Sequence, residues 1–236
     1  AGLFAVQARP APKKTGMNGV STLLVPRGTP GLTVRDPLKA TGQSIRWHHG
    51  TGAGVAFKDC KVPADHMIGK EGQTPLADAA EHALGAVAIA AVNLGVARVA
   101  YDAAVDYSKI RRQGGRNIIE HQAIGTKLSD CAIRLELARN MIWKAAWSLD
   151  HAESEQEPAG LPLHVMARVY TAEAAHEVTL LAAECFGAMG VMRDMPLQKH
   201  VHDAMVFLHS DDSDGAAKLA IAEAIAGYAR PAANAA

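Results

Sequence analysis

The spacing of apolar positions changes near residue 75, from an alternating pattern to a helical one. Before that point, short stretches alternate between apolar and polar residues and are separated by Pro and Gly, which predicts β-strands. The predicted strands cover residues 3–9 and 19–26, a segment that begins at residue 32, and residues 54–63. The first 70 residues are therefore predicted to form part of a β domain.

From about residue 75 onward, apolar residues recur every three or four positions, as in helices that bury one face. The predicted helices cover residues 75–112, 120–150, 162–186, 196–208 and 214–228. The clearest apolar row, in helix 120–150, consists of Ile124, Leu128, Cys131, Leu135, Ala138 and Ile142. The predicted core face of helix 75–112 consists of Leu84, Val87, Ala91, Leu94, Ala97 and Tyr101. Gly114 and Gly115 are predicted to cap that helix at its C-terminus.

These elements predict an α+β chain in which a partial β-barrel or sheet precedes an antiparallel four-helix bundle. The predicted domains are residues 1–70 and 75–230, followed by a tail at 231–236. The longest apolar run, residues 83–97, is too short to span a bilayer and contains Asn93. We therefore expect a buried helix there and no membrane span.

Composition narrows the function classes. The 24 basic and 24 acidic residues balance, so a general attraction to nucleic acid or to an anionic membrane is not expected. The three cysteines, Cys60, Cys131 and Cys185, are far apart in sequence and form no CxxC pair. This spacing indicates reduced thiols in a cytoplasmic protein rather than disulfides or a structural zinc site.

A glycine-rich stretch at residues 184–196 and an acidic turn at residues 210–215 are the candidates for chemistry. Glycine allows backbone to approach a bulky ligand, and Asp211, Asp212 and Asp214 place carboxylates on a connection between helices. The same residues also suit an ordinary turn with a helix N-cap, so the local pattern leaves both interpretations open.

No metal site is predicted from the acidic turn or from the histidines near it. A calcium loop is excluded because Ile221 stands at the twelfth position, where a glutamate is needed. His200 and His202 are two residues apart on a predicted helix and point in different directions.

Five stretches, in this order, resemble the acyl-CoA dehydrogenase family. They are residues 55–63 (VAFKDCKVP), 68–73 (IGKEGQ), 107–115 (YSKIRRQGG), 120–124 (EHQAI) and 135–139 (LELAR). The likeness covers nearly all of residues 3–228 and corresponds to the second half of the family's β domain plus its C-terminal four-helix domain.

The resemblance implies an FAD enzyme that oxidises an acyl-CoA thioester between Cα and Cβ. In such a reaction a carboxylate removes the α-proton while the β-hydrogen leaves as hydride to the flavin. The family's usual base is a glutamate in a turn before the last helix, and Asp211 falls at that position. The resemblance also implies a homo- or hetero-tetramer and an electron-transfer flavoprotein, or a similar protein, as electron acceptor.

Cofactor residues follow from the same resemblance. Arg111 matches an arginine that contacts the FAD pyrophosphate across a subunit boundary, with Gln113 beside it. Ser213 matches a threonine of the catalytic turn. Glu184, Gly187 and Ala188 fall where the family has glutamine and paired glycines near the adenine half of FAD.

The chain departs from the family at several positions. Gly114 replaces a phenylalanine, Ala86 replaces an arginine near the active site, and Gly85 stands where some members carry an alternative base. Two other functions therefore stay open on the same fold. One is a two-component flavin monooxygenase, for which the candidate groups are His49, His200 and His209. The other is a catalytically degenerate or truncated subunit that only scaffolds a partner.

Overall fold

The computed structural model describes residues 2–9, 19–35, 46–47, 50–51, 53–72, 79–151, 160–209 and 214–228. These residues form five α-helices and several small sheets, which confirms the predicted α+β class. No closed barrel is present among them. The chain divides into two compact units, one containing Ala1–His82 and the other Ala83–Pro231.

The first unit carries short antiparallel strands. They are β1 (Leu3–Ala8), β2 (Ser21–Pro26), β3 (Leu32–Arg35), β4 (Arg46–Trp47), β5 (Gly50–Thr51), β6 (Gly54–Phe57) and β7 (Met67–Ile68). A three-stranded sheet has the order β1-β2-β7, while β3 pairs with β6 and β4 with β5. Loop contacts fasten the central strand, because the Gly72 amide donates to Ser21 Oγ at 2.9 Å and His66 Nδ1 bonds the Leu24 carbonyl oxygen at 3.0 Å.

Five helices dominate the rest of the chain. They are α1 (Ala79–Ile110), α2 (Gln122–Asp150), α3 (Leu163–Phe186), α4 (Leu197–Leu208) and α5 (Asp214–Ala226). Each lies within a few residues of its predicted bounds. Two further strands, β8 (Arg112–Gln113) and β9 (Arg116–Asn117), form a hairpin between α1 and α2. Helix α3 is central, since it contacts α2, α4, α5 and the 3₁₀ turn Gly187–Val191.

The core of the second unit contains residues from α1 to α4. Its buried clusters bring together Ala97, Cys131 and Val178 at one level, and Ala104, Leu128 and Leu197 at another. The predicted row of α2 is confirmed, because its members from Leu128 to Ile142 are buried, while Ile124 is half-buried.

The predicted core face of α1 is only partly correct. Its buried row consists of Ala83, Ala86, Val87, Ala90, Asn93, Ala97, Ala100, Ala104 and Ser108. Leu84 is 65% exposed and Ala91 is also exposed, so their assignment to the core is wrong. The helix turns its small side chains inward, where alanine lets neighbouring helices pack closely, and leaves the larger Leu84 outside.

The length argument against a membrane span does not hold for α1. Residues His82–Ile110 are long and apolar enough to cross a membrane by length and composition. The same length and composition occur in core helices of soluble proteins. Within the second unit, Ala90 packs in one cluster with Ala145 of α2 and Ala167 of α3.

The predicted role of Gly114 and Gly115 as a helix cap is wrong. Helix α1 ends at Ile110, and both glycines lie at the turn of the β8–β9 hairpin with φ of +59° and +82°. Two consecutive residues with positive φ are what a tight hairpin turn requires. The C-terminus of α1 is satisfied by Asn117, whose Nδ2 donates to the Lys109 carbonyl oxygen at 2.8 Å.

Candidate functional site

A cavity of about 610 Å³ opens between the C-terminal end of α1, the start of α2 and the end of α3. Its size is that of ordinary ligand pockets. Its lining residues are Tyr107, Arg111, Gln113, Gly114, Ile118, His121, Ala123, Ile124, Glu184, Cys185, Phe186, Gly187, Ala188 and Met189. All belong to the second unit.

A stacked aromatic pair forms one surface of the cavity. The rings of Tyr107 on α1 and Phe186 on α3 lie with centroids 4.1 Å apart and planes 11° from parallel. Phe186 is buried and Tyr107 is half-buried, so the pair joins the core to the cavity surface. Such rings present an apolar face of the kind that bases pack against.

The β8–β9 hairpin forms a second surface and is held by His121. Its Nε2 lies 2.9 Å from the Gln113 carbonyl oxygen, which can only accept, so Nε2 carries the proton. Its Nδ1 accepts from Arg116 Nη2 at 3.3 Å. A Cβ on Gly114 would lie 3.3 Å from the same ring, at His121 Cε1. His121 thus occupies the side of the hairpin toward which a side chain at 114 would project.

Arg111 provides the positive charge of the cavity. It follows the last residue of α1, and its backbone amide donates to the Tyr107 carbonyl oxygen at 2.9 Å. Its side chain is exposed. The Arg111 side chain forms no hydrogen bond or ion pair with the described residues, so its guanidinium is available to an anionic ligand.

A charged pair joins α2 to the end of α3 beside the cavity. Glu184 on α3 accepts a hydrogen bond at Oε2 from the Lys127 ammonium on α2. Glu184 and Gly187 also line a second cavity of about 520 Å³, together with Lys127, Leu180, Ala183 and Val191. The adjacent Cys185 thiol is buried, and burial raises its pKa.

Gly187 and Gly190, which follow α3, are glycines for different physical reasons. Gly187 ends the helix with φ +59°, a conformation that L side chains rarely adopt. Gly190 is required by packing within the chain, because a Cβ there would lie 2.3 Å from the Ala183 carbonyl oxygen. The close backbone approach predicted for a ligand is therefore, at Gly190, an approach to the chain's own helix.

The structure brings five predicted cofactor residues to one cavity. They are Arg111, Gln113, Glu184, Gly187 and Ala188. The candidate base Asp211 and the candidate cofactor residue Ser213 lie outside the described residues, in the connection between Leu208 and Asp214. Sequence reasoning missed Tyr107, Phe186, His121 and Lys127. The quoted motifs did contain Tyr107 and His121, which was the only signal for them.

Of the monooxygenase candidates, the described part of the chain contains His200 and His209. His49 lies outside it. His200 on α4 is half-buried, and burial lowers the pKa of its imidazole, while His209 is exposed after the end of α4. Within the described residues, no group of three or more His, Cys, Asp or Glu side chains could hold a metal ion.

Residues 79–226 match the family model described as the acyl-CoA dehydrogenase C-terminal domain. The match includes every residue that lines the first cavity. The chain belongs to the acyl-CoA dehydrogenase family. This confirms the resemblance given by the five sequence stretches.

Relatives and solved structures agree with this assignment. The chain is 34% identical over 191 residues to the human mitochondrial short-chain specific acyl-CoA dehydrogenase, covering 80% of this chain and 43% of that protein. It is similar to the structure of butyryl-CoA dehydrogenase from Megasphaera elsdenii, with a TM-score of 0.80, 27% identity, and coverage of 96% of this chain and 56% of that one.

A third similarity is to a structure of the electron transferring flavoprotein of Acidaminococcus fermentans. Its TM-score is 0.79 at 29% identity, covering 95% of this chain and 57% of that chain. In all three comparisons the chain spans about half the length of the protein it matches.

Proposed function

We propose that this chain carries the C-terminal, cofactor-binding part of an FAD-dependent oxidoreductase that dehydrogenates acyl-CoA thioesters. The single observation that carries the proposal is the cavity at the α1–α2 junction. There an available guanidinium, a stacked aromatic pair and five residues matched to the family's FAD contacts lie together. Family membership supplies the reaction type.

The residues of the cavity fit the adenosine pyrophosphate half of FAD. Arg111 would bind the pyrophosphate through charge-assisted hydrogen bonds, and the backbone near Gln113 would lie beside it. The aromatic surface of Tyr107 and Phe186 would pack near the adenine ring. When bound, FAD supplies the hydride acceptor for the β-hydrogen of the substrate.

Asp211 is the proposed base. It lies between Leu208, where α4 ends, and Asp214, where α5 begins, at the position that the sequence resemblance matches to the family's catalytic carboxylate. In this role Asp211 takes the α-proton, which the thioester carbonyl acidifies, and becomes neutral. Aspartate is one methylene shorter than glutamate, so the substrate or the backbone must lie about one bond length closer. Ser213 is the proposed cofactor contact in the same turn.

The partners are part of the same proposal. The acyl-CoA substrate is of the short-chain class, because the human relative is named short-chain specific and the M. elsdenii structure is a butyryl-CoA dehydrogenase. Electron-transfer flavoprotein is the proposed acceptor, which similarity to the A. fermentans structure supports. The protein would act as a homo- or hetero-tetramer in the cytoplasm, a location that its three free thiols favour.

The test uses absorption spectroscopy of the purified full chain. We expect a flavin spectrum after incubation with FAD and loss of the oxidised flavin band when butyryl-CoA is added without oxygen. Oxygen consumption with externally supplied reduced flavin and no acyl-CoA would replace the dehydrogenase by the monooxygenase alternative. A colourless protein that binds FAD only beside a second chain would identify a scaffold subunit.

The base is tested by Asp211→Asn, with the neighbouring Asp212→Asn as matched control. Asp211→Asn is expected to keep FAD bound and to abolish bleaching by butyryl-CoA, because an amide cannot take up the α-proton. Asp212→Asn is expected to bleach as the wild type does. Equal bleaching by both variants would remove Asp211 from the mechanism.

A further inference from the structure

Glu184 places a carboxylate in the wall of the cavity that we assign to a pyrophosphate. Like charges repel, and the repulsion is stronger near a protein surface than in bulk water. A binding site for an anion needs some group that offsets this charge.

Lys127 is the group that offsets the charge of Glu184. The Lys127 ammonium on α2 donates to Glu184 Oε2 on α3, although 57 residues separate the two in sequence. Hydrogen bonding to Glu184 raises the pKa of the Lys127 ammonium, so the lysine stays charged throughout the neutral range. The two side chains are partly exposed, at 34% for Lys127 and 57% for Glu184, so solvent screens part of the interaction.

The two side chains of the pair differ in the cavities that they line. Glu184 lines both cavities, whereas Lys127 lines only the second one, together with Leu180, Ala183, Gly187 and Val191. The lysine therefore contacts the carboxylate without itself lining the first cavity. With the pair neutral, the charge that the first cavity presents to a ligand is that of Arg111.

We propose that Lys127 is a positioning residue of the dinucleotide cavity, which neutralises and orients Glu184 so that the cavity accepts a pyrophosphate anion. This inference rests on the proposed FAD site. Lys127 does not itself line that cavity, so it acts through Glu184.

The experiment is isothermal titration of ADP, which carries adenosine and pyrophosphate without the flavin, into the full chain. Four proteins are compared: wild type, Lys127→Met, Glu184→Gln and the double variant. Lys127→Met is expected to weaken ADP binding about three- to tenfold, because it exposes the phosphates to an uncompensated carboxylate. Glu184→Gln is expected to bind ADP at least as tightly as wild type, because it removes a negative charge from the cavity, and the double variant is expected to bind ADP more tightly than Lys127→Met.

Lys144→Met, on the exposed part of α2 and outside both cavities, is the matched control and is expected to bind ADP as wild type does. Rescue by the double variant separates charge compensation from a structural effect, since damage to folding would not be repaired by changing Glu184. Unchanged affinity of Lys127→Met, or a double variant as weak as the single one, overturns the inference alone. No ADP binding by the wild type overturns the proposed cofactor site and this inference with it.

Discussion

His121 donates from Nε2 to the backbone carbonyl oxygen of Gln113 across 2.9 Å, and this bond ties the β8–β9 hairpin to the start of α2. The hairpin has only two residues in each strand and two glycines at its turn. Such a short element has little stability of its own. Its position at the cavity therefore depends on contacts with its neighbours, among them those of the imidazole, which also accepts from Arg116, and the bond from Asn117 to the Lys109 carbonyl oxygen.

His121→Ala is expected to weaken ADP binding about fivefold, because about 1 kcal/mol of hydrogen bonding that holds the hairpin is lost. Titration calorimetry measures the change. His151→Ala is the matched control, since His151 also bonds a backbone carbonyl, that of Trp147 at 2.8 Å, but at the far end of α2. Equal ADP affinity of wild type and His121→Ala would show that the hairpin holds its position without the imidazole.

Whether a feature of this site could be predicted from the sequence depends on how far apart in the sequence its residues lie. Helix α2 was predictable because apolar residues from Leu128 to Ile142 recur at helical spacing, and this periodicity is visible within one short stretch of sequence. The pairing of Lys127 with Glu184 was not predictable, because it depends on how α2 and α3 pack and no local sequence pattern indicates it. The family resemblance, not periodicity, brought Arg111 and Gly187 to the same site.

Errors in the prediction came from signals with two physical meanings. Paired glycines suit both a helix cap and a hairpin turn, and only the positive φ of Gly114 and Gly115 distinguishes them. In residues 83–97 of α1 every residue except Asn93 is apolar, so periodicity could not show that the alanine row rather than Leu84 faces inward. A more polar helix would have revealed its buried face.

Phe186 is expected to be the most sensitive residue of the cavity wall. It is 8% exposed and stacks on Tyr107, so Phe186→Ala removes a buried ring and leaves a void. The expected loss in the free energy of unfolding is about 3–4 kcal/mol, measured by urea denaturation. Phe57→Ala is the control, since Phe57 is 44% exposed, and its expected cost is below about 1 kcal/mol. Similar losses in the two variants would contradict the packing described for Phe186.

Gly190→Ala is expected to destabilise the chain by about 1–3 kcal/mol, because its Cβ would lie 2.3 Å from the Ala183 carbonyl oxygen and the turn must move. Gly125→Ala is the matched control and is expected to stabilise the chain. The nearest atom to a Cβ at Gly125 is the Ile119 carbonyl oxygen at 3.8 Å, an ordinary contact, and alanine favours the α2 helix by about 0.5–1 kcal/mol. Thermal unfolding of both variants measures the two changes in stability. A stabilised Gly190→Ala would mean that the turn after α3 is not closely packed.

Stability at alkaline pH is expected to depend on Cys131. Burial, with a smaller contribution from nearby Cys185, raises the pKa of the Cys131 thiol from its ordinary value of 9.0 to about 12. Between these values the folded chain keeps a proton that the unfolded chain has released, so folding stability falls as pH rises. The contribution is fully present below pH 9 and decreases by at most about 1.4 kcal/mol per pH unit above it.

Urea denaturation between pH 8 and 11 measures this dependence for the wild type and Cys131→Ala. The alanine variant is expected to be less stable at pH 8, because it leaves a small void among Ala97, Leu135 and Val178. Its stability is also expected to fall less steeply above pH 9, since the thiol that retains a proton is gone. Parallel pH curves for wild type and Cys131→Ala would show that this thiol does not couple folding to proton binding.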